Sequence, residues 1–106
     1  VKADALVPVV RFSYPPQRSF IMHNKRISYK WPENISLRSQ DLEPFYHDAG
    51  QFYLINTETF LSEKSSVPTN TSAYELSEQE VQDIDTFDDW EIAEMKYMIM
   101  QKRTTK

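Results

Sequence analysis

A single glycine, Gly50, stands in a chain of 106 residues, where average usage of about 7% would supply roughly seven. Phosphate-gripping loops use several glycines together, because only glycine lets the backbone come so close to the ligand. This chain cannot build such a loop. A lone glycine ahead of an apolar run supplies either a turn or a close approach to the backbone, and both readings stand for Gly50. The sequence also begins at Val1, without methionine, and enters an apolar run almost at once. That start is expected of a C-terminal piece of a larger protein.

The stretch Val81-Gln82-Asp83-Ile84-Asp85-Thr86-Phe87-Asp88-Asp89-Trp90 predicts a short buried strand running into a helix. Strand side chains alternate between faces, so Val81, Asp83 and Asp85 would share one face and Gln82 and Ile84 the other. Two carboxylates at i and i+2 form a pair of hard oxygen ligands, suited to Mg²⁺ bound together with substrate phosphates. An acidic strand end on an ordinary surface has the same spacing, so the spacing leaves both readings open. Thr86 is placed to cap the helix, with Asp89 three residues on as a near capping box. Asp88 and Asp89 read as acids that offset the positive end of a helix.

Hydrophobic residues make up 40% and charged residues 26% of the chain, which is globular composition for one small domain. The formal charge of −4 argues against nucleic acid as a general partner. With no cysteine there is neither a disulfide frame nor thiolate chemistry. No apolar run approaches membrane-spanning length, so no membrane partner is expected and the cytoplasm is the expected compartment.

Ala5 to Phe12 is rich in β-branched residues and predicts a strand, with Pro8 placing it at an edge or a bulge. Residues 19–23 and 26–31 predict two strands joined by a turn at Asn24-Lys25, and Trp31-Pro32-Glu33-Asn34 a break. Leu37 to Tyr46 predicts a loop with one short turn. Gly50 to Ile55 predicts a buried strand, followed by a short helix capped by Asn56 or Thr57 and ending at Glu63. Ala73 to Leu76 predicts a brief strand. Thr86 to about Lys102 predicts a helix whose stripe of Trp90, Ala93, Tyr97 and Met100 packs into the core, with a frayed basic tail from Gln101. Charge divides along the chain, with a net +2 over residues 15–47 and −7 over 48–106. A basic arm on an acidic body suits a small anionic ligand or self-association; an ordinary solvated surface has the same balance.

Two further positions, Arg38 and His47, carry candidate chemistry. Arg38 offers a planar fork for a carboxylate, though Asp41 beside it is an equally suitable surface partner. His47 carries an imidazole suited to proton transfer, but no serine or cysteine near it stands in a recognisable nucleophile context, and a hydrogen-bonding loop histidine fits as well. Asp48 joins Tyr46 and His47 in a polar cluster ahead of Gly50.

These residues carry a resemblance. Asp41-Leu42-Glu43-Pro44-Phe45-Tyr46-His47-Asp48-Ala49-Gly50-Gln51-Phe52-Tyr53 resembles the LP-x-x-Y-x-x-x-G-x-x-Y stretch of the acylneuraminate cytidylyltransferases, the CMP-sialic acid synthetases. Val81 to Trp90 resembles their metal-binding D-I-D-T-x-x-D stretch. Phe12-Ser13-Tyr14-Pro15, Arg38-Ser39-Gln40-Asp41 and the run from Tyr46 to Tyr53 resemble the pseudaminic acid branch. The resemblance covers nearly the whole chain, in order, and corresponds to the C-terminal half of such enzymes.

The resemblance implies an α/β fold, the C-terminal part of a Rossmann-like nucleotidyltransferase domain with an extended β dimerisation arm. Residues 1–14 would be a core strand, 15–47 the arm that crosses to a second subunit, and 48–106 core strands and the C-terminal helix. It implies Mg²⁺ held by Asp83 and Asp85 as catalytic residues. It implies substrate contacts from Arg38, Gln40, Tyr46, His47, Gly50 and Gln51, with Arg38 on the sugar-acid carboxylate. The partners implied are CTP, a nine-carbon sugar acid and a second copy of the chain. Where sialic acid enzymes tend to have Asn-Gly-Ala, this chain has Ala49-Gly50-Gln51, which favours pseudaminic acid or a relative. A non-catalytic dimerisation or sugar-binding module built on the same fold is the alternative.

Overall fold

The computed structural model describes residues 2–104. The chain divides into two units, one of residues up to Val10 together with those from His47 onward, the other of Arg11–Tyr46. In the first unit the organising element is strand β1 (Ala5–Arg11), whose valines at 7, 9 and 10 are stiff at χ1 and favour extended backbone.

β1 is an interior strand. Strand β6 (Thr71–Glu75) runs parallel along one edge, with Ala5 opposite Thr71 and Val9 opposite Glu75. The other edge is shared. Strand β5 (Leu54–Ile55) pairs antiparallel with Ala5 and Leu6. Strand β4 (Tyr46–Asp48) lies farther along the same edge, where the Ala49 N–H donates to the Pro8 carbonyl at 3.0 Å. The expectation that Pro8 marks an edge or a bulge is therefore corrected: Pro8 is fully buried in a strand paired on both sides. Its missing N–H faces the Ala49 carbonyl, and the Gln51 side-chain amide donates to that carbonyl instead, at 3.0 Å. A side chain thus replaces the absent ladder donor, which is what a proline inside a sheet requires.

The buried core of this unit is small. Val10, Ala49 and Val81 form one cluster, with Leu76 packed against it. It joins β1, the residue just past β4, and the start of the acidic stretch, and so fixes where the three meet.

The predicted strand at Val81–Asp85 is absent, as is most of the one at Gly50–Ile55, where only Leu54 and Ile55 pair. The physical reason for the first is that side chains take its carbonyls. Lys96 Nζ donates to the Val81 carbonyl at 2.8 Å, and the Gln51 amide donates to that of Gln82 at 3.4 Å. Helix α1 (Thr57–Glu63) begins as expected at Asn56, whose side chain accepts from the Thr59 N–H at 3.2 Å.

Helix α2 (Phe87–Thr104) begins after Thr86 and runs two residues past its expected end, through the segment expected to fray. Residues 105 and 106 of that expected tail lie outside the described residues. Arg103 donates to the Gln79 side chain at 2.6 Å, and Lys96 holds both Val81 and Gln82, so α2 returns along residues 79–82. The stripe expected to be core is not core. Trp90 is 53% exposed, Tyr97 61% and Met100 43%, because the segment beneath α2 covers only its Ala93–Lys96 side. Among the described residues, no helix is long and apolar enough to cross a membrane.

In the second unit, strands β2 (Phe20–His23) and β3 (Arg26–Tyr29) pair antiparallel from Phe20 opposite Tyr29 to His23 opposite Arg26. Asn24 and Lys25 have φ of 50° and 64°, the two left-handed residues of a tight hairpin turn whose twist matches the strands. Phe20 and Tyr29 pack against each other across the pair, with ring centroids 4.8 Å apart and the ring planes tilted by 48°. Single 3-10 turns at Pro16–Arg18, Pro32–Asn34 and Ser39–Asp41 make up the rest, tied by Asn34 donating to the Gln17 carbonyl and Gln17 to that of Glu43. Among the described residues, the chain is a mixed α/β protein with a four-stranded sheet, a separate hairpin and two α-helices.

Candidate functional site

The loop after β4 is built on Asp48. Its Oδ1 accepts from the Gly50 N–H at 2.8 Å, which closes an Asx turn, and its Oδ2 accepts from the Tyr53 hydroxyl. Those two bonds, the tyrosine's first, and the adjacent His47 hold the Asp48 carboxyl below its ordinary pKa of 3.8. Tyr53 is correspondingly pushed up, mainly by the bond to Asp48, with the charge of Asp83 adding to it. His47 is exposed, its Nδ1 2.9 Å from the Asp48 carbonyl.

Gly50 has φ +68°, and a Cβ there would lie 2.9 Å from both Cγ and Oδ2 of Asp83. The two motifs, 33 residues apart in sequence, therefore touch through the one residue that has no side chain. Both readings of Gly50 hold: it makes the turn, and it lets another group approach the backbone.

Asp83 and Asp85 are exposed, and among the described residues no hydrogen bond to either side chain is formed. Asp85 contributes backbone instead: its N–H and that of Thr86 both donate to Asp89 Oδ2, at 3.0 and 3.1 Å. Thr86 Oγ1 in turn accepts from the Asp89 N–H at 3.1 Å. The capping box is complete, with aspartate in the place where glutamate is usual. Among the described residues, no group of three or more acid, imidazole or thiol side chains is gathered as a metal cage.

The Asp89 carboxyl is held below its ordinary pKa of 3.8, first by the Asp85 N–H, against an opposing effect of burial that ranks next, and then by the Thr86 hydroxyl and N–H. A depressed folded-state pKa adds stability above the unfolded value, and that stability is lost as pH falls through the folded value. The start of α2 is accordingly expected to unwind as pH drops below about 4. Far-ultraviolet circular dichroism against pH checks this: Asp89→Asn, which cannot ionise, should lose the part of the acid transition that the wild type shows there. Identical acid transitions would show that the cap does not depend on the charge.

Of the residues predicted for the site, Gly50, Gln51 and Asp83 come together in the first unit, and His47 and Asp85 lie on the same unit. Arg38, Gln40 and Tyr46 belong to the second. Arg38 forms the surface pair with Asp41, through Nε at 3.1 Å and Nη2 at 3.4 Å, with its side chain 72% exposed. Sequence reasoning missed Asp48 and Tyr53 as parts of this site. The signal was the acid two residues ahead of a glycine, the pattern of an Asx turn.

No protein-family profile matches the chain. Individual proteins do. Over 95 residues, 89% of this chain, it is 36% identical to the pseudaminic acid cytidylyltransferase of Campylobacter jejuni, of which it covers 41%. A Helicobacter pylori protein named pseudaminic acid cytidylyltransferase and UDP-2,4-diacetamido-2,4,6-trideoxy-beta-L-altropyranose hydrolase is 36% identical over 92 residues, 87% of this chain and 18% of that protein. The N-acylneuraminate cytidylyltransferase of Streptococcus agalactiae is 42% identical over 53 residues, half of this chain and 13% of that protein. Over most of its length the chain is thus homologous to part of the pseudaminic acid cytidylyltransferases, and it spans about two-fifths of the length of the Campylobacter relative.

Proposed function

We propose that this chain forms part of a cytidylyltransferase that moves CMP from CTP to a nine-carbon sugar acid, with pseudaminic acid as the first candidate. The observation that carries this reading is the 36% identity over 89% of the chain to a pseudaminic acid cytidylyltransferase. In the reaction the anomeric hydroxyl attacks the α-phosphorus of CTP. The new bond is O–P, the hydroxyl proton passes to water, the bond to the β-phosphate oxygen breaks, and pyrophosphate leaves with the electron pair. Positioning and charge neutralisation supply most of such catalysis.

The donor set suits a hard divalent ion. Asp83 and Asp85 offer exposed oxygen ligands that no neighbour occupies among the described residues, and hard carboxylate oxygens of this kind suit Mg²⁺, which keeps several waters and shares substrate oxygens. Bound there, the ion would lower the pKa of the attacking hydroxyl and neutralise charge on the transferred phosphate. Arg38 takes the sugar carboxylate. Asp41 occupies the Nε side of the guanidinium, which leaves the fork between Nη1 and Nη2 for a second carboxylate. The second unit, with Phe20, Ile21, Met22 and Ile27 exposed on its hairpin, serves as the arm that meets a second copy, on a Rossmann-like body.

The test is CMP-sugar formation from CTP and Mg²⁺ by the full-length enzyme, offered pseudaminic acid and N-acetylneuraminic acid separately. Turnover of pseudaminic acid is expected, and the 106-residue chain alone, with one glycine and no phosphate loop, should give none. No CMP-sugar from either acid would overturn the reading.

A further inference from the structure

Resting on that reading of Asp83, we propose that Gly50 is a positioning residue: the loop latched by Asp48 and Tyr53 sets the orientation of the Asp83 carboxylate through contact with a backbone that carries no side chain. The contact is closer than any side chain tolerates. A Cβ at Gly50 would stand 2.9 Å from Asp83 Cγ, 2.9 Å from its Oδ2 and 3.1 Å from its Cβ. The end of a flexible side chain yields more easily than packed backbone, so a methyl group at residue 50 moves the carboxylate rather than the loop.

The loop is held firmly enough to act as a fixed surface. Asp48 accepts from Gly50 and Tyr53 at once. Ala49 is buried against Val10 and Val81. Gln51 reaches from the Ala49 carbonyl to that of Gln82, the residue before Asp83. Both segments are therefore fixed to each other on either side of the contact. The glycine and the tyrosine three residues after it become one device. The tyrosine steadies the acid that closes the turn, and the glycine at the tip of that turn lies against Asp83. Groups that orient a metal-ligating carboxylate are worth about 10- to 100-fold in metal affinity.

The test is Mn²⁺ titration of the full-length enzyme, read by the electron paramagnetic resonance of the free ion, without substrates. Gly50→Ala is expected to weaken Mn²⁺ binding about 10- to 100-fold. Asp83→Ala should weaken it too, and Gly50→Ala added to Asp83→Ala should bring no further loss, because the glycine acts only through that carboxylate. Tyr53→Phe removes one hydrogen bond from the latch and should weaken binding by about 2- to 10-fold. The left-handed φ adds backbone strain to any substitution at residue 50, so thermal unfolding of each variant is measured alongside. Should Gly50→Ala fail to fold, Tyr53→Phe decides. Wild-type Mn²⁺ affinity in folded Gly50→Ala, or multiplying losses in the double variant, overturns the inference. So does wild-type affinity in Tyr53→Phe when Gly50→Ala does not fold. Wild-type affinity in Asp83→Ala is a different failure, since it removes the metal assignment itself.

Discussion

Asp85→Asn in the full-length enzyme should lower kcat by about 30- to several-thousand-fold, the equivalent of about 2–5 kcal/mol for removing one carboxylate of a metal–carboxylate pair that bound substrate would close off from water. The substitution keeps the volume and removes the charge. The loss belongs in kcat because an ion held by these carboxylates, as proposed, would act on charge that develops in the transition state. Excess Mg²⁺ should restore part of the rate if weaker metal binding is the main defect. Asp88→Asn is the control. Asp88 lies in the first turn of α2, where its charge offsets the helix N-terminus by about 0.3–1 kcal/mol of stability, and turnover should change little. Asp89 would be a poor control, since its carboxylate holds the Asp85 and Thr86 amides. Steady-state kinetics of both variants check the assignment: equal loss of turnover in Asp88→Asn would misplace the metal site.

Arg38→Lys should raise KM for the sugar acid by about 10- to 100-fold while leaving KM for CTP unchanged, the equivalent of about 1.5–3 kcal/mol for one lost hydrogen bond to a charged group. Lysine keeps the charge and loses the planar fork. It also breaks the two-point contact with Asp41, but an exposed pair of that kind contributes only about 0–1 kcal/mol to stability, so folding should survive. Initial rates with each substrate varied in turn decide the matter. A shift in KM for CTP instead would put Arg38 on the nucleotide side.

The parts of this fold that the sequence made legible are those set by short-range chemistry. Asn56 opening α1, Thr86 with Asp89 opening α2, and Asn24-Lys25 turning the hairpin all depend on residues within four positions of each other. What stayed hidden depends on distant partners. The alternation of Val81, Asp83 and Asp85 looks like a strand, yet a strand needs a neighbour, and here Lys96 and Gln51 take the carbonyls first. Pro8 looked like an edge residue because the chain gives no local sign that Gln51, 43 positions later, supplies a substitute donor. The α2 stripe has the period of a core helix, but period says which residues share a face and not what covers it. For the candidate site, the acids were legible as donor chemistry. The contact of Gly50 with Asp83 was not, because a glycine's neighbours leave no mark on its own sequence.

The exposed start of α2 also has an optical consequence. The chain has two tryptophans, one in each unit. Trp31 has the Lys30 ammonium 5.3 Å from its ring centre, and Trp90, immediately after the capping aspartate, is half in solvent. The indole of Trp90 should emit at long wavelength and be readily quenched by iodide, and both properties should change when anything settles on that helix face. With Trp31 replaced by phenylalanine, emission would follow the first turn of α2 alone, five residues from Asp85, without an added label.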